Sequence, residues 1–366
     1  MIIFELLSAL VAFGYHPPSL KTANGVFLDK PGKASYDAPA SFRIIVLLKT
    51  ISKILERVMT VRLSVIAKSK DLLHPNQCGS LQGLSSADAC LTLTEEIRTL
   101  QRPRLEVSTL CLDVKAGFDN VNASTLRARL LASRVPSYLV DWVSSFLSER
   151  TCTLAFHGSP YLCSPGTVGT PQGSPISPLL FQLYVTPLHM SLPRGIMVSN
   201  VDDFSITGAS PSYRGNRRRL QGLFSPISAR GREIGVSFSV PKSELILWRT
   251  LSPRTPPSTA SIELEGHSFH LSGVVWWLGY WFTPALNSTH QFRHRLSLAR
   301  AILCFGKRLS SRGAGVRPFL CHRIAHGLLH PILTYGADLL TPKYTGLRGM
   351  NSFWHRVQRW TTNNFF

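Results

Sequence analysis

GIMVSNVDDFSIT, residues 195–207, sets two adjacent carboxylates, Asp202 and Asp203, between two apolar runs, the pattern of a β-hairpin with both acids at its tip. A second pair, Asp113 and Asp119, stands upstream in STLCLDVKAGFDNV, residues 108–121. The strand expected over 107–114 alternates Val107, Thr109, Cys111 and Asp113 against Leu110, Leu112 and Val114. Asp113 therefore shares a face with mostly small side chains, a face that could admit a ligand. Two acidic motifs on strands suggest a site that holds divalent cations against phosphate, since hard oxygen ligands suit Mg²⁺.

The composition supports a polyanionic partner. Among 366 residues, 40 are Lys or Arg and 20 are Asp or Glu, a formal net charge of +20. At 44% hydrophobic residues the chain can bury a sizeable core, in two or three lobes, and is not a disordered basic tail. From 291 onward twelve Lys or Arg face the single Asp338, which marks a basic helical module. Seven cysteines without a CxxC pair indicate neither a disulfide framework nor a zinc ribbon, and fit a reducing compartment, nucleus or cytoplasm rather than secretion. The opening MIIFELLSALVAF lacks a basic leader and carries Glu5, so it reads as an amphipathic or buried helix, and no run is long enough to span a membrane.

Along the chain, periodicity predicts a short strand at 25–28 and a long helix over 44–70, with Ile51, Ile54, Leu55, Val58, Val61, Leu63 and Ile66 on its apolar side. Further helices are expected over 86–100, 124–132, 136–149, 179–190 and 215–231. A hairpin over 152–163 should end in a Gly/Pro-rich loop, and 236–248 should be mostly extended.

Three strings in this order resemble the reverse transcriptases of non-LTR (LINE-type) retrotransposons. LDVKAGFDNV (112–121) is similar to the family's first palm motif, GTPQGSPISPLLF (169–181) to its second, and NVDDF (200–204) to its F/YxDD motif. The resemblance implies an α+β right-hand polymerase fold: fingers over 1–106, an antiparallel-sheet palm over 107–285 with 120–165 partly returning to the fingers, and a basic helical thumb over 286–366. It implies two metal ions, Mg²⁺ or in its place Mn²⁺, on Asp113, the Val114 carbonyl, Asp202 and Asp203. Phe118 would be the steric gate that favours dNTPs, and Gln172 and Gly173 would line the nucleotide and template pocket.

Shorter strings extend the resemblance. VPKSEL (240–245) brings Lys242 as proton donor to pyrophosphate, WLGYWF (277–282) brings Leu278 and Gly279 as the primer grip, and SFRIIVLL (41–48) brings Arg43 to the triphosphate. HPNQCGSLQGLSSADA (74–89) matches a fingers segment, and KPGK could bring Lys30 and Lys33 near phosphate. The implied activity is RNA-directed DNA synthesis, with an RNA template, a DNA primer and dNTPs as partners. Two departures stand out: Ile44 replaces a usual Pro, and Asn200 replaces the aromatic that packs beside the primer terminus. With no endonuclease or ribonuclease H segment in the chain, a truncated or degenerate copy is expected, unable to transpose by itself. The alternatives are an inactive remnant that only binds RNA or DNA, and an RNA-templated RNA polymerase, against which Phe118 speaks.

Other features favour plainer readings. His322, His326 and His330 recur every four residues beside Cys321, a spacing that suits helix packing or backbone contact better than zinc. His290 and His294 sit in a basic stretch suited to phosphate. Arg217–Arg219 reads as a solvated helix face, and Trp354 and Trp360 as core of the terminal helices.

Overall fold

The computed structural model describes residues 2–32, 35–38, 41–102, 105–156, 159–163, 169–248, 261–311, 318–337, 339 and 344–362. Lys33 lies outside them. The strands are β1 (Thr22–Asp29), β2 (Phe42–Leu47), β3 (Gln77–Cys78), β4 (Glu106–Asp113), β5 (Thr151–Phe156) and β6 (Ser159–Cys163). They continue with β7 (Met197–Asn200), β8 (Asp203–Ser210), β9 (Glu244–Trp248), β10 (Ser261–Leu264), β11 (His267–His270), β12 (Val275–Trp277) and β13 (Tyr280–Phe282). Helices and mainly antiparallel sheets make this an α+β fold. Its contacts divide into two units, one of residues 1–89, 112–206 and 222–243, the other of 90–111, 207–221 and 244–366.

In the first unit one sheet has the order β2-β1-β5-β6. β1 pairs antiparallel with β2 from Asn24↔Leu47 to Asp29↔Phe42, and parallel with β5 from Thr22↔Thr151 to Gly25↔Leu154. The helix expected over 44–70 therefore begins only at Thr50 and ends at Ser69. The β-branched run Ile44, Ile45, Val46 suits a pleated surface, and pairing with β1 outweighs its helical spacing.

The buried face of that helix also differs from expectation. Ser52, Leu55, Glu56, Met59, Thr60, Leu63 and Ala67 face inward, while Ile51, Ile54, Val58, Val61 and Val65 are exposed. A carboxylate can occupy the inner face because both its oxygens are satisfied. Ser52 Oγ donates to Glu56 Oε1 at 2.5 Å and Ser174 Oγ donates to Oε2.

A second sheet has the order β3-β7-β8-β4-β9, with β7–β8 and β4–β9 antiparallel and β3 parallel to β7. β4 is buried along its length save its ends, so the face of Val107, Thr109 and Cys111 is not open to a ligand; only Asp113, at the strand end, emerges. β4 and β9 pair from Val107↔Trp248 to Cys111↔Glu244, and Trp248 Nε1 donates to Thr109 Oγ1 at 2.8 Å. Only 244–248 of the expected extended segment is strand. Pro241 has no N–H for a ladder, and the amides of Lys242 and Ser243 turn back to the Ser239 carbonyl.

In the second unit β12 and β13 form a hairpin whose tip, Leu278 and Gly279, takes φ of +52° and +85°. Two positive φ values are what a tight two-residue hairpin turn requires. Trp360, Val357 and Phe353 pack with Cys321, Ala325 and Leu329 in a buried cluster, and Trp354 is partly buried against it, as the sequence reading expects. Arg217, Arg218 and Arg219 lie exposed on the helix Tyr213–Glu233. The rings of His322 and His326 lie tilted against each other, 4.3 Å between centroids, with Trp354 edge-on to His326. No helix among the described residues is long and apolar enough to cross a membrane.

Candidate active site

The β7–β8 hairpin closes at Asn200↔Asp203, so Val201 and Asp202 form a two-residue turn and Asp203 opens β8. The expected tip thus holds one carboxylate in the turn and one on the strand. Val201 takes φ +57°, a left-handed conformation that glycine usually supplies and that strains a β-branched residue. Its amide is anchored to the Cys78 carbonyl at 3.2 Å. Strain of this kind persists only where surrounding contacts over-determine it, and functional turns are where it collects.

Asp113 ends β4. The chain returns past it at 237–242, with Ser239 N donating to Asp113 O at 2.7 Å and Lys115 N to Ser237 O at 2.9 Å. The short turn Val240–Lys242 then delivers Lys242, whose Nζ donates to Asp113 Oδ2 at 2.8 Å. The lysine side chain is 61% exposed and the aspartate 31%, so the pair is accessible rather than locked in the core.

Asp202 and Asp203 share this neighbourhood. Burial holds the Asp202 carboxyl above its ordinary range and Asp113 adds to the effect, against the pull of Lys242 and Arg43. Burial, then Asp202 and Asp113, push Asp203 to about 7, with Lys242 opposing. Carboxylates that destabilise one another's charge favour an added cation.

The second motif is tied to the first through backbone. Thr170 N donates to the Phe118 carbonyl at 2.7 Å and Gly169 N to the Val121 carbonyl at 2.8 Å, fixing the short turn that carries Phe118. The half-buried Phe118 ring lies 5.3 Å from that of Phe181. Val46 N donates to the Gln172 carbonyl at 2.8 Å, which joins the motif to β2, the strand of Arg43. Gly173 takes φ +121°, and a Cβ there would stand 2.6 Å from the Val46 carbonyl oxygen, so the position has neither the conformation nor the room for a side chain.

Beside this junction a cleft of about 360 Å³ is lined by Ile44, Val46, Asp119, Cys152, Cys163 and Gln172, among others. Burial raises the Asp119 carboxyl above its ordinary range, with Lys30 opposing. The first unit thus brings together Asp113, Asp202, Asp203, Lys242 and Arg43, with Phe118, Gln172 and Gly173 on adjoining turns. Leu278 and Gly279 belong to the second unit, where the Tyr335 hydroxyl donates to Leu278 O at 3.1 Å and Arg295 Nη2 to Gly279 O at 2.7 Å.

A family model described as reverse transcriptase (RNA-dependent DNA polymerase) matches residues 28–282. The chain belongs to the reverse transcriptase family. This reverse transcriptase chain is 27% identical over 261 residues to the probable RNA-directed DNA polymerase from transposon X-element of Drosophila melanogaster, covering 70% of the chain and 28% of that relative. It is 24% identical over 341 residues to the Pol polyprotein of the type-1 retrotransposable element R1 of Bradysia coprophila, covering 92% of the chain and 33% of the relative. Its relatives are thus the polymerases of non-LTR retrotransposons, and the chain spans about a third or less of their length. Among solved structures it is similar to telomerase from Candida tropicalis in complex with a fragment of telomeric RNA, with a TM-score of 0.49 and 12% identity over 98% of this chain and 58% of that one.

Reverse transcriptases as a family use divalent metals, and the donor chemistry here suits one: hard carboxylate oxygens whose mutual repulsion a cation would relieve. Among the described residues no group of three or more His, Cys, Asp or Glu side chains is placed so that it could hold a metal ion by itself. That is compatible with Mg²⁺, which takes one or two carboxylates and completes its shell with substrate phosphates and water.

Sequence reading missed Glu56. It sits at a helical position that local patterning assigns to solvent, and only its link to Ser174, 118 residues away, shows that it braces the second motif. It also missed how Asn200 is housed. Asn200 Oδ1 is buried with no hydrogen-bond partner among the described residues and lies against Gly79, itself at φ +97°.

Proposed function

We propose that this domain extends a DNA primer with dNTPs on an RNA template. The observation that carries the reading is the convergence of Asp113, Asp202 and Asp203, with Lys242 bonded to Asp113 at 2.8 Å. Asp113, the Val114 carbonyl, Asp202 and Asp203 would hold two Mg²⁺, which when bound stabilise charge on the attacking and leaving oxygens of an in-line displacement. The residues of the chain align and neutralise. Arg43 faces the triphosphate, and Phe118, held by Thr170, crowds a ribose 2′-hydroxyl. Gln172 and Gly173 present backbone to the incoming nucleotide, and Leu278 and Gly279 bear on the primer. Lys242 is an exposed ammonium able to give a proton to departing pyrophosphate.

The Lys and Arg excess would grip the hybrid through its phosphates, so affinity should fall steeply with salt. Asn200 favours a second reading, a remnant that binds nucleic acid without catalysis, because its unpartnered amide oxygen stands beside the paired carboxylates where the family carries an aromatic.

The test is primer extension on an RNA template with Mg²⁺ and either dNTPs or NTPs, comparing the parent chain, Asp202→Asn and Asn200→Tyr. Incorporation of dNTPs by the parent and its loss in Asp202→Asn supports the polymerase. An inactive parent restored by Asn200→Tyr supports the remnant, and a preference for NTPs removes the assignment to DNA synthesis.

A further inference from the structure

Cys152 and Cys163 stand directly opposite one another across the antiparallel β5–β6 ladder. Opposed residues in such a ladder have Cα atoms ~4.5 or ~5.5 Å apart, depending on whether the pair is hydrogen-bonded. Both values fall inside the ~4.4–6.8 Å span that a disulfide bridges without backbone movement. The two residues are free thiols. Both line the cleft that also holds Ile44, Asp119 and Gln172.

Their surroundings differ from those of Cys78, Cys90, Cys111 and Cys321, which are buried in the core. Cys163 is exposed and Cys152 half-buried, with Sγ packed so closely under β1 that a Cβ on Gly25 would come within 2.9 Å of it. The Cys152 thiol is raised by burial and then by Cys163, while Arg150 works the other way. Access therefore favours Cys163 as the thiol that meets a reagent first, and position makes Cys152 the thiol that answers it.

We propose that Cys152 and Cys163 form a cross-strand dithiol site whose substrate is a low-molecular-weight disulfide of the glutathione type. The Cys163 thiolate attacks one sulfur of the reagent; an S–S bond forms to Cys163, the reagent's own S–S bond breaks, and the released thiolate takes a proton from water. Cys152 then loses its proton to water and attacks the Cys163 sulfur. The mixed disulfide breaks, the Cys152–Cys163 bond forms, and the second small thiolate leaves and is protonated. Two cysteine thiols are oxidised to one disulfide, and the small disulfide is reduced to two thiols. The bridge staples β5 to β6 in the cleft wall.

The experiment treats the full chain with oxidised glutathione and follows it by intact mass and peptide mapping, independently of any polymerase assay. The expected parent product has lost two hydrogens and yields a peptide linking Cys152 to Cys163, and dithiothreitol reverses it. Cys152→Ser should instead hold a glutathione adduct on Cys163 that is about tenfold or more longer-lived, because the resolving thiolate is gone. A parent that accumulates adduct on Cys163 without a bridge, or that bridges other cysteines under these conditions, overturns the proposal. So does a Cys152→Ser adduct no longer-lived than that of the parent.

Discussion

Gly173 offers the sharpest test of how the second motif is built. Replacing it by Ala asks a residue with a Cβ to hold φ +121°, a conformation that costs about 1–3 kcal/mol outside glycine. The new methyl would also meet the Val46 carbonyl oxygen at 2.6 Å, a backbone atom that cannot swing aside as a side-chain tip can. Relief comes only by moving the loop, which forfeits the 2.8 Å bond from Val46 N to the Gln172 carbonyl, worth about 1 kcal/mol. These alternatives overlap rather than add fully, so Gly173→Ala should lose about 2–4 kcal/mol of local stability.

Amide hydrogen exchange reads this at the bond itself. The Val46 amide should lose about 30- to 1,000-fold of its protection, the range that 2–4 kcal/mol implies at ~1.4 kcal/mol per factor of ten. Gly222→Ala is the internal control. That glycine lies exposed within the helix Tyr213–Glu233 with nothing near its missing Cβ, so Ala should stabilise by up to about 1 kcal/mol. Unchanged Val46 protection in Gly173→Ala, or equal effects at the two glycines, would refute the reasoning.

Two further outcomes are expected. Mg²⁺ should raise the thermal unfolding midpoint of the parent, by about 1.4 kcal/mol of stability at tenfold its Kd, and the rise should shrink in Asp203→Asn and vanish with EDTA; equal shifts in both proteins would mean that the ion binds elsewhere. Burial, aided by His74, pushes His189 down to about 3, so in the folded protein it stays neutral where the unfolded chain, with a pKa near ~6.5, takes a proton. Stability from this group is complete above ~6.5 and falls as pH drops toward about 3. Relative to the parent, His189→Gln should therefore gain up to about 1.4 kcal/mol per pH unit across that window in urea unfolding, and a pH-independent difference would count against it. Taking the difference cancels Asp203, whose raised pKa acts with the opposite sign over much of the same range.

Local strings in the sequence were enough to identify the family. The hairpin around Asp202 and Asp203, the strand ending at Asp113 and the two glycine-bearing loops are each legible over a few residues, although distant partners such as Cys78 and Val46 hold them in place. In the first unit Asp113, Asp202 and Asp203 share one neighbourhood. What periodicity could not supply was direction. Ile44–Leu47 has helical spacing but lies in a strand because β1 is there to receive it. The helix Thr50–Ser69 turns Glu56 inward and Val58, Val61 and Val65 outward because Ser52 and Ser174 satisfy the carboxylate.

Tertiary structure alone decided three further matters. Lys242 reaches Asp113 across 129 residues of sequence, through a turn set by Pro241 and the Ser239 carbonyl. Val201 carries the strain of the Val201–Asp202 turn because Cys78 and the β7–β8 ladder hold it there. Cys152 and Cys163, unremarkable at eleven residues apart, become a pair through strand register. Composition and short motifs determine which groups are available and what chemistry they can do. Their contacts depend on register and on pairing between distant segments, where complementary surfaces outweigh local preference.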